Sequence, residues 1–396
     1  MSGEPVRLGV LGMGRAFTLM LPTFARDRRV RLVAAFDPNE TATAAFVRDF
    51  GGSAHTSPES LCADPQVEWI YVATPHLMHV DHVELAVAHG KHVLVEKPMA
   101  LSLAECTQMI DACERAGTRL IVGHSHSFNT PVRLARSLIS SGRFGAVRLI
   151  QAMNFTDFLY RPRRPEELET ARGGGVVFSQ AVHQVDIVRL LAGGLATSVY
   201  ARAGAWDPAR PTEGAYTALV DFAGGTVANL TYNGYGFYDS DAWMDGIGEM
   251  GRPKVPGAHL ATRQKLMAAT DEAAEAALKA QRNYGGTAYA PDSGELPHAF
   301  QHFGPVIVCC ERGDLRLTPS GVEVHDAVGV RLESVPVPTV PRSEVIDELW
   351  TVARQGSAPL HSGAWSRATL EVCLAILASH QSRAAIMLGK QVALPI

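Results

Sequence analysis

The sequence predicts an α/β protein: a doubly wound parallel sheet, followed by an α+β domain whose sheet is open-faced and mostly antiparallel. Three observations carry this. Short Val-, Ile- and Leu-rich runs alternate with helix-length stretches through residues 1–127. A glycine turn, Gly12-Met13-Gly14, directly follows the first such run. Beyond residue 197, strand-length apolar runs succeed one another with little helical signal between them. A chain of 396 residues suits two domains, here 1–127 and 128–396, with an insertion at about 239–301.

Residues 6–11 read as the first strand, and a helix starts near Arg15. Strand, glycine turn and helix N-terminus together cradle a pyrophosphate, through backbone approach, free N–H groups and the positive end of the helix dipole. The third glycine of that fingerprint would fall at position 17, which is Phe17, so helix–strand packing must differ there. Residues 31–36 form a second strand ending at Asp37. An acidic group there binds ribose hydroxyls and repels a 2′-phosphate, which favours NAD over NADP. Its other reading is an N-cap for the helix over 40–50.

The alternation continues with a strand at 69–73 closed by Thr74-Pro75, a helix over 80–89, a strand at 93–95, a helix over 103–116 and a strand at 119–123. His79 reads equally as a cofactor neighbour or as the first turn of its helix. Pro98 cannot donate to a sheet ladder, so Glu96-Lys97 close the 93–95 strand at its carboxyl end, where open α/β sheets bind ligands. Lys97 there is an acid/base candidate or a strand-end lysine paired with Glu96. His124 and His126 could touch nicotinamide or merely cap.

Composition excludes several classes. The chain is 46% apolar and 19% charged with a net charge of −4, which gives no reason to expect nucleic acid or a membrane as partner. No secretory leader or membrane span is recognisable. The six cysteines lack metal-ligand spacing, no metal is expected, and a reducing cytoplasm fits.

In the second half a helix over 132–140 precedes a strand at 146–155. Gly173-Gly174-Gly175 then leads into a helix over 176–191, on which Ser179, His183 and Asp186 share one face. Such a polar face suits a cleft, or a core histidine satisfied by Asp186. Strands at 197–205, 215–222 and 226–235 suggest a meander, with further strands at 306–310, 314–318 and 322–325 and closing helices over 343–354 and 364–382. The open face is expected to bury itself against a second copy, as a homodimer or homotetramer. The insertion reads as an alanine-rich helix over 260–282 in a flap, an oligomer arm or a mobile excursion.

Gly12-Met13-Gly14, Asp37, Thr74-Pro75 with His79, Glu96-Lys97-Pro98 and the glycine run before His183 and Asp186 together resemble the Gfo/Idh/MocA oxidoreductases. The likeness spans nearly the whole chain except 239–301. It implies a Rossmann domain binding NAD(P) through Gly12, Gly14, Arg15, Asp37, Thr74, Pro75, His79, Glu96 and Lys97. It also implies Lys97 as the proton-transfer residue and His183 at the substrate hydroxyl. Where the family often carries an aspartate, four residues before this histidine, Ser179 stands. Residues 155–168 and 178–186 are most similar to enzymes of carboxylated aromatic cis-dihydrodiols, with phthalate 4,5-cis-dihydrodiol the best match.

That substrate class gives the second half a chemistry. Arg161, Arg163 and Arg164 offer forked donors to carboxylates, or form a charge run balanced by Glu166, Glu167 and Glu169. Tyr160 and His302 are further substrate-side candidates. In the oxidation direction Lys97 must be neutral, so its pKa must fall from about 10.4 to roughly 7–8, and Glu96 should therefore point away from it. Hydride loss from one carbinol carbon gives a hydroxyketone that enolises to a catechol. The competing readings are a sugar or polyol dehydrogenase of the same family and a non-catalytic NAD-binding regulatory protein.

Overall fold

In the computed structural model, residues 3–291, 295 and 298–394 are described, and the chain forms two compact units. The first contains the residues up to His124 together with 277–296 and 340–367; the second contains 125–276, 297–339 and 368 onward. The division is thus not the single cut expected at 127/128, because two later stretches of chain pack with the first unit.

The first unit carries six parallel strands: β1 (Val6–Leu11), β2 (Val30–Phe36), β3 (Ser53–Ala54), β4 (Trp69–Val72), β5 (His92–Val95) and β6 (Leu120–Val122). Their order is β3-β2-β1-β4-β5-β6, which reverses direction between β1 and β4. Helices α1 (Arg15–Arg26), α2 (Glu40–Phe50), α3 (Pro58–Cys62), α4 (His79–Ala88) and α5 (Leu103–Ala116) connect them. Every residue of β4 is buried, as a strand covered on both faces requires. Two reciprocal bonds between Ser102 and Glu105 start α5, and Gly117 ends it in the left-handed region at φ +65°. The cap of α2 is Asn39, whose side chain accepts from Thr41 N–H at 3.1 Å, so the capping role considered for Asp37 does not fall to it.

The second unit starts with α6 (Thr130–Ser140) and β7 (Val147–Phe155). A π-helical turn over Val177–Ala181 then runs into α7 (Val182–Ala192), where a continuous α-helix was expected. Strands β8 (Ala196–Gly204), β9 (Ala215–Phe222) and β10 (Val227–Asn233) form the expected meander. The insertion holds two helices, α8 (Leu260–Leu266) and α9 (Glu272–Ala280), not one. Asp271 separates them, its Oδ1 accepting from Ala274 N–H at 2.8 Å in the manner of an N-cap. Strands β11 (Val306–Cys310), β12 (Gly313–Thr318), β13 (Gly321–Asp326) and β14 (Gly329–Glu333) follow. Helix α10 (Ser343–Gln355) belongs to the first unit, and after α11 (Gly363–Ser382) the two-residue β15 (Ile386–Met387) closes the sheet edge.

The nine strands lie in the order β14-β13-β12-β11-β7-β10-β9-β8-β15. All ladders are antiparallel except β7 with β10, which is parallel. Helices α6 and α7 contact this sheet. On one of its faces Ile307, Gln151, Asn229, Leu219 and Tyr200 lie in register across five strands, with Leu219 and Tyr200 exposed.

Phe17, standing where the fingerprint has glycine, is fully buried in the first unit. Its ring meets that of Tyr284 edge to face at 5.4 Å. Tyr284 N–H donates to Thr18 Oγ1 at 2.9 Å and its hydroxyl donates to Asp49 at 2.7 Å. Gly285 lies so close to α2 that a Cβ there would stand 2.8 Å from Ala42 Cα. This end of the insertion is therefore a packed part of the first unit, not a mobile excursion.

Truncating Tyr284 to alanine should cost the first unit about 3 kcal/mol, seen as a lower unfolding midpoint. Tyr284→Phe, which keeps the ring, should cost only about 1 kcal/mol. Equal losses would mean that the hydroxyl, not the ring on Phe17, holds the segment.

Candidate active site

In the first unit the strand ends are level. Gly12 N–H donates to Phe36 O, Ala73 N–H to Leu11 O, Glu96 N–H to Val72 O and Gly123 N–H to Val95 O, all at 2.8–2.9 Å. The loops after β1, β4, β5 and β6 consequently leave the sheet along one edge, beside the point where strand order reverses. Gly12 has φ +87°, and a Cβ on it would stand 2.9 Å from Ala73 O. Gly14 precedes the first turn of α1 and brings no side chain to it, and nothing lies within 4 Å of where its Cβ would be. That open backbone at a helix N-terminus fits a pyrophosphate. Arg15 is the exposed first residue of the helix. Asp37 accepts from Met13 N–H at 2.6 Å and from Asn39 N–H at 2.8 Å, so it braces the glycine turn from the end of β2.

Two expected cofactor contacts are instead interior groups. Glu96 is 7% exposed and accepts from the Tyr71 hydroxyl at 2.5 Å. Burial raises its pKa, against the pull of that bond, Lys97 and Arg342. Burial and the carboxylate together raise the Tyr71 hydroxyl well above its ordinary value. His79 is wholly buried, with Nδ1 3.1 Å from Pro98 O and Nε2 3.0 Å from Thr74 O. It staples the Thr74-Pro75 turn to the turn after Lys97, and burial lowers its pKa. Thr74 Oγ1 stands 2.9 Å from His82 Nδ1. Lys97, half-buried, follows Glu96 in the bend after β5.

In the second unit the glycine run is shaped by contact. A Cβ on Gly174 would stand 2.6 Å from the Glu167 carbonyl carbon, and one on Gly175, at φ +80°, would overlap the Glu213 carboxylate. Glu213 accepts from Val177 N–H at 3.1 Å, from Thr212 Oγ1 at 3.0 Å and from Thr170 Oγ1. Burial raises its pKa against those bonds. Nothing in the sequence marks Glu213, yet it anchors the start of the helical stretch that carries Ser179 and His183.

The His183 ring stands 4.8 Å from that of His126 and 5.0 Å from that of Phe303. Tyr232 stacks on Phe303 at 6.1 Å and bonds Thr156 Oγ1 at 2.8 Å and Gln180 Oε1 at 3.2 Å. His126 thus sits beside His183, where the sequence suggested only a nicotinamide contact or a cap. Phe303 carried no sequence signal. Asp186 accepts from Ser127 Oγ and from Thr369 Oγ1, the latter at 2.8 Å.

The expected substrate-side residues divide. Arg161 Nε pairs with Asp157 at 2.8 Å, and Glu249 adds to the negative field around the guanidinium. Arg163 lies 3.6 Å over the Phe158 ring, donates to Phe158 O at 2.7 Å and faces Glu167 at 3.8 Å. Arg164 pairs with Glu166 at 3.0 Å and Glu167 at 3.5 Å. These last two serve their own loop. Tyr160 donates to Asp207 at 2.7 Å and has Arg263 3.4 Å over its face, so that face is not open to a substrate ring. His302 also departs from expectation: Nδ1 accepts from Gly304 N–H at 3.1 Å, and Nε2 lies 2.9 Å from Ile247 O. It is a backbone clasp. Among the described residues no cluster of His, Cys, Asp and Glu could hold a metal, and no helix is long and apolar enough to cross a membrane.

Residues 6–124 match the family model described as an oxidoreductase family with an NAD-binding Rossmann fold, and residues 132–252 match the GFO/IDH/MocA C-terminal domain. A protein from Comamonas testosteroni, 1-carboxy-3-chloro-3,4-dihydroxycyclohexa-1,5-diene dehydrogenase, is 47% identical over 373 residues, 94% of each chain. A solved structure from Bordetella bronchiseptica RB50, described as a dehydrogenase, shares 37% identity with a TM-score of 0.90, covering 97% of this chain and all of that one. The WlbA dehydrogenase from Bordetella pertussis, solved with NADH and UDP-GlcNAcA, shares the fold at TM-score 0.67 and 20% identity, over 97% of this chain and 99% of that one.

The Glu96 shift has a pH consequence. As pH rises above about 4.3, the unfolded chain ionises this carboxyl before the folded protein does, so its contribution to stability falls through the raised folded value. Glu96→Gln does not titrate. Denaturant unfolding at several pH values should therefore show the variant gaining on the parent as pH rises. A variant losing ground with pH would contradict the buried, raised carboxyl.

Proposed function

The chain belongs to the GFO/IDH/MocA oxidoreductase family, and from that premise we propose that it oxidises a carboxylated dihydroxycyclohexadiene, with NAD as hydride acceptor. The likeness along nearly its whole length to the Comamonas testosteroni dehydrogenase carries this reading. A nicotinamide cofactor, held at the Gly12-Met13-Gly14 turn and Asp37, would supply the hydride acceptor for one carbinol carbon. Lys97, as the neutral amine, accepts the proton of that carbinol's hydroxyl. His183 holds the substrate oxygen by a hydrogen bond, and the product hydroxyketone enolises to a catechol.

Arg161 is the carboxylate anchor in this reading. Arg163 and Arg164 already face Phe158 O, Glu166 and Glu167, so Arg161 is the preferred anchor, which favours a ring with a single carboxylate over the two of a phthalate dihydrodiol. Asp37 places a negative charge at the end of β2, which disfavours a 2′-phosphate and so supports NAD over NADP.

The purified protein should form NADH with monocarboxylated cis-dihydrodiols faster than with phthalate 4,5-cis-dihydrodiol, and slowly or not at all with polyols or with NADP. Turnover of polyols alone would reject the dihydrodiol reading. Lys97→Met should lower kcat by about 10²–10⁴ while still binding NAD; wild-type turnover would remove Lys97 from the mechanism. Arg161→Gln should raise KM by about 10–100-fold with little change in kcat. An unchanged KM would place the carboxylate elsewhere.

A further inference from the structure

His126 is 1% exposed and stands edge to face with His183, their planes at 72°. Phe303 contacts both rings, at 5.1 Å and 5.0 Å, so the three close on one another. The hydrogen bonds around His126 assign its tautomer. Asn129 Nδ2 donates to Gln301 O at 3.1 Å, which identifies that atom as the amide nitrogen. The same nitrogen lies 2.8 Å from His126 Nδ1 and donates to it, so Nδ1 carries the lone pair. The ring proton is then on Nε2, which donates to Glu249 Oε1 at 3.1 Å.

Asn129, His126 and Glu249 thus form a directed chain ending in a carboxylate, and it supports the imidazole next to His183. Glu249 lies near the start of the insertion region, and Gln301, whose carbonyl accepts from Asn129, lies at its end. His302 ties them, since its N–H donates to Glu249 O at 3.2 Å and its ring clasps Ile247 O and Gly304 N–H. Glu249 and Phe303 are thereby both brought to His126.

We propose that Glu249, acting through His126, is a positioning residue for His183, supplying from the insertion the carboxylate that position 179 lacks. The proposal rests on His183 holding the substrate oxygen. With Nδ1 occupied by Asn129, His126 is not a general base; it is a fixed wall that sets the plane and polarity of the His183 environment. Charged and titratable groups around this cluster include Arg161 and Tyr232, which both feel Glu249, Arg163 acting on Tyr232, Asp157 beside Arg161, His302 with Asp241 at 4.0 Å, and Asp186 on α7 itself.

The test compares Glu249→Gln, Glu249→Asp and His126→Phe in the NAD-loaded enzyme. Kinetics and ¹⁵N-histidine NMR are both read. Glu249→Gln should lower kcat about tenfold with KM and unfolding midpoint nearly unchanged, Glu249→Asp should recover most of the loss, and His126→Phe should lose more than Gln. In the NMR arm the side-chain nitrogen signals of both His126 and His183 should move in Glu249→Gln, while the backbone spectrum stays. Unmoved His183 signals would overturn the proposal. So would kcat, KM and stability falling together with no rescue by aspartate, which is what simple packing gives. The NMR arm needs no substrate, so it decides the proposal even if no dihydrodiol is turned over and the functional reading fails.

Discussion

The hydrogen bond from Tyr71 to the buried Glu96 carboxyl constrains the rest of the first unit's site. A buried carboxyl is costly without a partner. Glu96, just past the end of β5, is turned inward to meet Tyr71, and Lys97 follows it in the bend. His79 then fixes the turn from behind, bridging the carbonyls of Thr74 and Pro98. The turn that carries Lys97 is therefore held by buried polar groups on β4, just after β5 and on α4. None of those groups needs to touch a ligand.

The second unit solves a similar problem with different parts. A glycine run with no room for side chains lets Glu213 reach the first turn of the helical stretch and satisfy Val177 N–H. The π-helical turn that follows delivers His183 among His126, Phe303 and, behind Phe303, Tyr232. Three adjacent arginines look interchangeable along the chain, but their environments separate them. Arg163 is stacked on Phe158 and bonded to its own loop, Arg164 is paired with two glutamates, and Arg161 is paired with Asp157.

The insertion is also two things. Its end near Tyr284 repairs a local defect in the nucleotide-binding pattern: Phe17 is too large for the usual helix–strand contact, and a tyrosine ring and a glycine close over the resulting surface of α1 and α2. Its other parts bring Glu249 to His126, with Phe303 just beyond its end. Neither contact leaves a local sequence trace, since each joins residues more than a hundred positions apart.

Local patterns in the sequence determined the parallel sheet, the glycine turn, the strand ending at Glu96-Lys97 and the helix bearing His183. Each depends on periodicity, glycine permissiveness or proline's missing donor, which neighbouring residues encode. Only the tertiary structure decided which polar groups face inward. Glu96, His79, His302 and Tyr160 are chemically able to bind ligands, and a sequence cannot say that Tyr71, the Thr74 and Pro98 carbonyls, Ile247 and Asp207 already occupy them. The physical reason is that a buried polar atom must find a partner, and that partner comes from whatever chain the fold brings near, at any distance in sequence.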